Sequence, residues 1–475
     1  MGENNRNEPI RWGRWIGWIA VILLLLLVTA HAIWSSVASS RLAALVAQAR
    51  TAGQPVFPAD FAVTGVETPD NAGPDIVAAA QLIDPSGPEW KKYNDLRESL
   101  GVPLRQNERE AIEAVVPVLA PALKRLDSAR GKTRVEWDFA LKSPVVDQLV
   151  DPNLNKIRGL ATSLQMQSLL DFDQGRHHAA LDRIEPMLLV SRLPDRHPSL
   201  VGHLVAIGCA AIASSTVMDV APDLKIGAGP DDATPEQVRG VIDALLDDRA
   251  ISDGLLLAFY GERTMQLDFM QGMTTGAPPG ASRVAVGVPS RPVVRYLMGP
   301  IISQNAGIMF RHMTNSLPAA SEKTWPEARA KLPTLPRTGS LLNRYAELLM
   351  PSMDRAVETH FRILAERRLA AVALAVRWYS VEHDGQLPAK MEDLVPRYLP
   401  AVPMDPLASG EHPLGYIPSV GNPIVYSVGT DGKDDDGSEA SADPKRKVLN
   451  EWMMKDRVQP LTRRPRPEPE PPPEP

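Results

Sequence analysis

The stretch that determines the architecture of this chain is WIGWIAVILLLLLVTAHAIW, residues 15–34. It contains no Asp, Glu, Lys or Arg, and its only titratable side chain is that of His31. Because an α-helix rises about 1.5 Å per residue, a helix of this length spans about 30 Å, the thickness of the hydrocarbon core of a bilayer. Tryptophans stand at both ends, as in the aromatic belts of membrane interfaces. We therefore predict a transmembrane helix over residues 15–34.

The charges that flank this segment predict its orientation. Three arginines lie directly before it, whereas the next basic residue, Arg41, follows at a greater distance. Positive charge is retained on the cytoplasmic side of a membrane. We therefore predict that residues 1–14 are cytoplasmic, that the bulk after Trp34 is extracytoplasmic, and that the chain crosses the cell membrane once.

The same segment has a second interpretation, a cleaved signal peptide. Ala30-His31-Ala32 fits the small-x-small pattern of a signal cleavage site. Cleavage after Ala32 would release a soluble exported binding protein that begins at Ile33. We favour the uncleaved anchor, because apolar sequence continues through Trp34.

A second uncharged segment, Ser199 to Met218, also has the length of a membrane span. Its composition differs from that of the first segment, since it is rich in Gly, Ala and Ser and poor in Leu. Small residues permit close approach of neighbouring helices. We interpret it as a helix buried inside a bundle. The alternative is a second span, which would return the C-terminal part to the cytoplasm.

The composition argues against several classes of protein. A formal net charge of −6 over 475 residues argues against nucleic acid as a partner, because nucleic-acid binding depends on a positive field. The single cysteine, Cys209, excludes an intramolecular disulfide and any metal site with several cysteine ligands.

Helical periodicity dominates the rest of the chain. Apolar residues step by three or four from Met353 to Glu382, which predicts one long helix. Residues 424–428, IVYSV, predict a short strand, and the Gly- and Pro-rich residues 272–300 predict a loop. The predicted fold is mainly α, with an exported helical body and a small C-terminal α/β module. The predicted divisions are a linker and helix (35–105), the helical body (106–352), the module (353–437) and a disordered acidic, proline-rich tail (438–475).

The strongest local signal for a binding site is YSVGTDGKDDDG, residues 426–437. Its four carboxylates, those of Asp431, Asp434, Asp435 and Asp436, are interleaved with glycines, so that one loop can fold several oxygens around a hard cation. Ca²⁺ takes six to eight oxygen ligands of this kind. The spacing is not that of an EF-hand. The alternative to calcium is a solvated acidic loop.

This loop belongs to a longer pattern. Residues 367–437 resemble the C-terminal part of the major pseudopilins of type II secretion systems, where a helix is followed by short motifs in the same order. The resemblance implies a pseudopilin-like module, and it implies calcium binding by Asp431 with one or more of Asp434 to Asp436. The matching residues are Tyr379, Asp384-Gly385, Leu387-Pro388, Pro403, Asp405-Pro406, Tyr416, Tyr426, Ser427, Gly429 and Asp431-Gly432.

The resemblance does not extend to the N-terminus. Pseudopilins carry a processing signal there, with Gly at the cleavage point and Glu five residues later. In this chain Gly13 is followed by Arg14, and Trp18 occupies the fifth position. We therefore do not predict assembly into a pilus-like fibre.

The remaining helical region, including Gly261-Glu262-Arg263, resembles uncharacterised membrane-anchored bacterial proteins, and this resemblance implies no activity. We interpret Glu262 and Arg263 as a helix surface or an internal ion pair. The predicted function is structural or interaction-based: the chain holds a protein partner of the envelope near the membrane. The alternative is an exported hydrolase with its site between the helical body and the 272–300 loop, although no motif names a nucleophile, a general base or a metal triad.

Overall fold

The protein is mainly helical, as predicted, with one small antiparallel sheet near its C-terminus. The computed structural model describes residues 12–63, 68–84, 86–96, 100–148, 151–275, 291–335, 339–350, 352–419, 421–443 and 450–466. The α-helices of these residues are α1 (Trp12–Thr51), α2 (Gly73–Gln81), α3 (Pro88–Leu96), α4 (Gln106–Leu126), α5 (Pro152–Asp173), α6 (His177–Leu181), α7 (Ile184–Ser191), α8 (Leu200–Val220), α9 (Pro235–Leu246), α10 (Arg249–Thr275), α11 (Pro292–Ser316), α12 (Trp325–Lys331), α13 (Arg344–Leu349) and α14 (Met353–Glu382). The strands are β1 (Gly415–Ile417), β2 (Ile424–Ser427) and β3 (Arg457–Pro460).

Helix α1 is one uninterrupted helix of 40 residues with two different halves. Its first half is exposed and apolar, and the helix is long and apolar enough to cross a membrane. Its second half lies against the body. Ala49 is buried with Leu267 of α10 and Phe310 of α11, and Leu42 packs against the same group. The helix predicted over 15–34 therefore continues to Thr51 without a break.

Helix α8, which contains the second apolar segment, lies at the centre of the body. It packs against α5, α7, α10 and α14. Ala206, Ala210 and Ala213 are buried on it, which lets neighbouring helices approach closely. Ser199 caps the helix by accepting a hydrogen bond from the Gly202 amide at 3.0 Å. This arrangement agrees with the interpretation of Ser199 to Met218 as a buried helix.

Helix α14 has the bounds predicted for it, Met353–Glu382. The predicted boundary between the helical body and the C-terminal module, at residue 353, does not separate two hydrophobic cores. Leu369 and Leu374 of α14 belong to one continuous apolar cluster with Ile157 of α5 and Val425 of β2. The C-terminal segment is therefore packed onto the helical body as part of the same core, rather than attached to it as a separate module.

The sheet has the order β1-β2-β3, and all its pairs are antiparallel. The strand predicted at 424–428 is confirmed as β2. The prediction of disorder from residue 438 onward is wrong for β3, where Val458 pairs with Tyr426 and is buried against Ile424. The prediction gave too much weight to proline content, because only the pairing with β2 reveals this strand. Residues 444–449 and 467–475 of the tail lie outside the described residues.

The loop predicted at 272–300 is helical at both of its ends. Helix α10 continues to Thr275, and α11 begins at Pro292. Proline is well suited to the first position of a helix, where its missing N–H is not needed. Pro300 lies buried in the interior of α11. The intervening residues 276–290 lie outside the described residues.

The interpretation of Glu262 and Arg263 as a surface or an ion pair is wrong. Both side chains are buried, and Glu262 accepts a hydrogen bond from the Leu200 amide at 3.0 Å. Arg263 donates to the Gln54 side-chain oxygen at 2.7 Å and to the Pro55 carbonyl at 2.8 Å. These contacts tie the chain that leaves α1 to the middle of α10.

Neutral groups provide the rest of the compensation for burying the Arg263 guanidinium. It lies over the rings of Tyr260 and Phe310, at 5.2 and 4.9 Å, and donates to the Thr314 hydroxyl at 3.1 Å. No carboxylate in the described part of the chain forms an ion pair with it, and burial lowers its pKa to about 10. It therefore remains charged at neutral pH.

We expect Arg263→Lys to loosen the end of α1. Lysine keeps the charge but lacks the planar fork that reaches both Gln54 and Pro55. The expected loss is about 3 kcal/mol of unfolding free energy, measured by thermal melting, with faster proteolytic cleavage between residues 52 and 57. The control is Arg249→Lys on the same helix, where the side chain is 88% exposed. Equal melting and cleavage in both variants would contradict the account.

Candidate functional sites: the acidic loop and a buried histidine cluster

The acidic loop follows β2 and turns through several residues in the left-handed backbone region. Gly429, Gly432 and Gly437 have φ values of +71°, +71° and +72°, and Asp436 has φ +56°. At Gly429 a Cβ atom would lie 2.4 Å from the Lys455 carbonyl oxygen, so only glycine fits. The glycines therefore fix the path of the loop against the segment that leads into β3.

Two of the predicted calcium ligands stabilise the loop itself. Asp434 accepts hydrogen bonds from the Tyr426 hydroxyl at 3.1 Å and from the Asp436 amide at 3.0 Å. Asp431 accepts from the Lys433 amide at 3.0 Å. These local bonds are typical of aspartates in turns. Tyr426 is thereby joined to the loop that follows its own strand.

A third predicted ligand, Asp435, forms an ion pair with Lys455 at 2.7 Å. Next to this pair lies Asp456, which is fully buried and accepts hydrogen bonds from the amides of Asp435, at 3.4 Å, and Ser438, at 2.8 Å. Sequence reasoning missed Asp456, because it lies some 20 residues away in a segment predicted to be disordered. Only the pairing of β3 with β2 brings Asp456 next to the acidic loop.

The carboxylates of the loop are thus distributed over different partners. In the described part of the chain, no group of three His, Cys, Asp or Glu side chains is arranged to hold a metal ion. Burial raises the pKa of Asp456, and the neighbouring Asp434 and Asp435 raise it further. A cation near Asp456 would relieve this accumulation of negative charge.

Asp405 joins the loop before β1 to the end of β2. Its buried carboxylate accepts hydrogen bonds from the Leu407 amide at 2.9 Å, the Val428 amide at 2.8 Å and the Ser427 hydroxyl at 2.9 Å. Three donors on one buried carboxylate fix the relative positions of both segments. This gives the Asp405-Pro406 element of the sequence pattern a structural role.

A second polar cluster lies inside the body, and no sequence motif indicated it. Asp195 Oδ1 lies 2.7 Å from His203 Nδ1, and the His203 ring lies 5.3 Å from the ring of His360. The three residues come from the short 3₁₀ turn before α8, from α8 and from α14. Because His360 is distant from the other two in sequence, only the packing of α14 on α8 brings the cluster together.

Glycines bring the segment that carries Asp195 close to its neighbours. A Cβ atom at Gly254 would lie 2.3 Å from the Asp195 carboxylate, and one at Gly261 would lie 1.7 Å from the Pro198 carbonyl oxygen. A Cβ atom at Gly202 would lie 2.7 Å from the Pro194 carbonyl oxygen. Gly261 and Gly254 of α10 therefore allow this helix to pack directly on the turn.

Burial determines the charge state of this cluster. It raises the pKa of Asp195, and it lowers the pKa of His360 well below the usual value of histidine. His203, Asp195 and His360 are 0%, 4% and 2% exposed. Since a substrate has no access to such groups, the cluster is a polar part of the core and not a catalytic site.

The hydrolase alternative stays a prediction, because residues 276–290 of the loop that it names lie outside the described residues. Four surface cavities of about 320 to 660 Å³ carry a single carboxylate among their lining side chains, that of Glu185. None of these four linings includes a histidine, so they hold no pair of histidine and carboxylate of the kind used in general acid–base catalysis.

No family model, curated protein or solved structure matches this chain. The resemblance to pseudopilins therefore rests on the residue pattern alone.

We expect His360 to make the protein sensitive to acid. Its pKa lies below about 6.5 in the folded state and near 6.5 in the unfolded chain, so the unfolded state takes up the extra proton. The stability present above pH 6.5 is then lost as the pH falls. His360→Gln should reduce the slope of unfolding free energy against pH below pH 6.5, where one proton taken up only on unfolding contributes at most about 1.4 kcal/mol per pH unit.

The matched control for this measurement is His178→Gln, since His178 is exposed at the start of α6. Its slope should equal that of the unmodified protein. If His360→Gln leaves the slope unchanged as well, His360 is protonated in the folded state and the account of the cluster is wrong.

Proposed function

We propose that this chain is a single-pass protein of the cell membrane with an extracytoplasmic helical body. Its role in this proposal is structural: it holds a protein partner of the cell envelope at a fixed position close to the membrane. The observation that carries the proposal is the continuity of α1, whose exposed apolar half and docked half form one helix.

The docking of α1 fixes the body relative to the span. Leu42, Leu45 and Ala49 pack against α10 and α11, and Arg263 fastens the residues that follow. From Trp34 to Thr51 a helix rises about 25 Å. A body packed along this length cannot swing freely on a flexible linker, and a partner bound to it would be kept near the bilayer.

Two further contacts between α1 and α11 support the uncleaved anchor. The His31 ring nitrogen lies 3.3 Å from the Leu297 carbonyl oxygen, and the Trp34 indole donates to Gln304 at 3.2 Å. Cleavage after Ala32 would cut α1 between these two contacts. The part of α1 that remained on the body would lose the contact between His31 and Leu297.

Fractionation tests the anchor. The full chain should remain in the membrane pellet after washing with alkaline carbonate, and protease added outside the cytoplasm should digest the body. Leu25→Arg places a charge at the centre of the span, which costs about 3 kcal/mol, and should shift part of the protein to the soluble fraction. Val118→Arg on the exposed face of α4 is the control. Release of the unmodified chain by carbonate would refute the proposal.

We further propose that the acidic loop binds Ca²⁺ through Asp431 together with Asp434, Asp435 or Asp436. Four carboxylates on a glycine-turned loop and the buried Asp456 behind it support the proposal. Binding would require Asp434 and Asp435 to exchange their present partners, Tyr426 and Lys455, for the cation.

Calcium should then stabilise the folded state by linkage. At a free concentration about 100 times the dissociation constant, a ligand adds about 2.7 kcal/mol, which corresponds to a rise in melting temperature of several degrees. We expect this rise with millimolar Ca²⁺ in the unmodified protein and in Asp138→Ala, an exposed aspartate outside the loop. Asp431→Ala should abolish it. No rise, or the same rise in Asp431→Ala, would contradict calcium binding here.

A further inference from the structure

The first two turns of α11 carry an apolar surface that nothing in the described residues covers. Val293, Tyr296 and Leu297 are 69%, 61% and 55% exposed, and Val294 is also exposed. Further along α11 the apolar side chains are buried against α1, α10 and α13. The exposure is thus confined to one end of the helix. We call residues 292–297 the α11 tip.

The α11 tip lies beside the membrane segment of α1. Leu297 meets His31 through its carbonyl oxygen, and the rings of Tyr296 and His31 are 4.8 Å apart. Further along, Gln304 meets Trp34. Higher residue numbers on one helix meet higher numbers on the other, so α1 and α11 run in the same direction.

This direction sets the depth of the α11 tip. Leu297 is level with His31, which lies inside the predicted span of residues 15–34. Val293, four residues earlier, lies about 6 Å further toward the middle of the span. The apolar side chains of the tip therefore lie at the depth of the outer part of the hydrocarbon layer, next to a helix that is itself exposed and apolar there.

We propose that the α11 tip inserts into the outer leaflet beside α1, so that the protein contacts the bilayer through two helices rather than one. The inference rests on the anchoring proposed above. The molecules that cover the tip are lipids. The tip and the span form a continuous apolar surface, and such a surface requires an apolar solvent at that depth. Tyr296 and Trp34 then take the positions usual for aromatic side chains at a membrane interface.

A short neighbouring turn extends the same surface. Leu341 is 85% exposed, and the adjacent Leu342 accepts a hydrogen bond from Asn305 of α11 at 2.6 Å. Gln304, which meets Trp34, also donates to Asn343 at 2.8 Å. The turn at residues 341–343 is therefore level with Trp34, where the hydrocarbon layer gives way to the headgroups.

The charges around this surface suit a lipid partner. Arg291 directly precedes the α11 tip and Arg295 lies within it, so their long side chains must extend toward the headgroups when the tip inserts. Arg41 and Arg311 line a cavity of about 320 Å³ between α1 and α11 beside Trp34. No carboxylate of the described residues forms an ion pair with any of the four arginines. Arginines near a membrane surface extend their guanidinium groups to lipid phosphates.

Site-directed fluorescence in vesicles tests the inference on the full chain. Cys209 is replaced by Ala, and single cysteines at Val293, Leu297 and Val118 are labelled with an environment-sensitive dye. The vesicles contain phosphatidylethanolamine and phosphatidylglycerol. We expect blue-shifted emission at Val293→Cys and Leu297→Cys, with quenching by lipids that carry a doxyl group at least about threefold stronger than at Val118→Cys. All three native side chains are exposed, so labelling should not disturb the fold.

A label at Leu25→Cys separates the two proposals. If Leu25→Cys is quenched by doxyl lipid while the α11 tip labels are quenched by iodide in the water, the inference is wrong and the anchor stands. If Leu25→Cys is also quenched from the water, the anchoring itself is wrong, and the inference falls with it. If neither quencher reaches the tip labels, a protein and not lipid covers the tip, which also overturns the inference.

Discussion

A buried guanidinium fastens the end of α1 to the rest of the molecule. Arg263 has no carboxylate partner in the part of the chain that the structure describes, so hydrogen bonds to Gln54, Pro55 and Thr314 and two aromatic faces must offset its loss of hydration. A charge in this setting strongly disfavours any movement that breaks those bonds. The angle and depth at which α1 meets the body depend on it.

That constraint connects the fold to the proposed function. If α1 spans the membrane as proposed, its packing along α10 and α11 keeps the body close to the bilayer and holds the α11 tip at the proposed depth. In that arrangement two helices would enter the bilayer side by side and would limit rotation about the axis of α1. The proposed envelope partner would then meet a surface of defined height and orientation.

Sequence reasoning succeeded where the signal is local. The bounds of α14 follow from its apolar stripe, and β2 follows from its β-branched run. It failed where contacts between segments that are distant in sequence determine the structure. Strand β3 depends on its pairing with β2, Asp456 on the closure of the loop over it, and the Asp195–His203–His360 cluster on the packing of α14 against α8.

The proposed anchoring requires that the body is carried on an intact α1. Mass spectrometry of the mature protein, purified from membranes, shows whether α1 is intact. The account predicts that peptides from residues 15–32 remain covalently joined to the body, because His31 and Trp34 belong to one docked helix. A mature chain that begins at Ile33 would contradict it, since the span, the α11 tip contact with His31 and the anchoring would all be lost together.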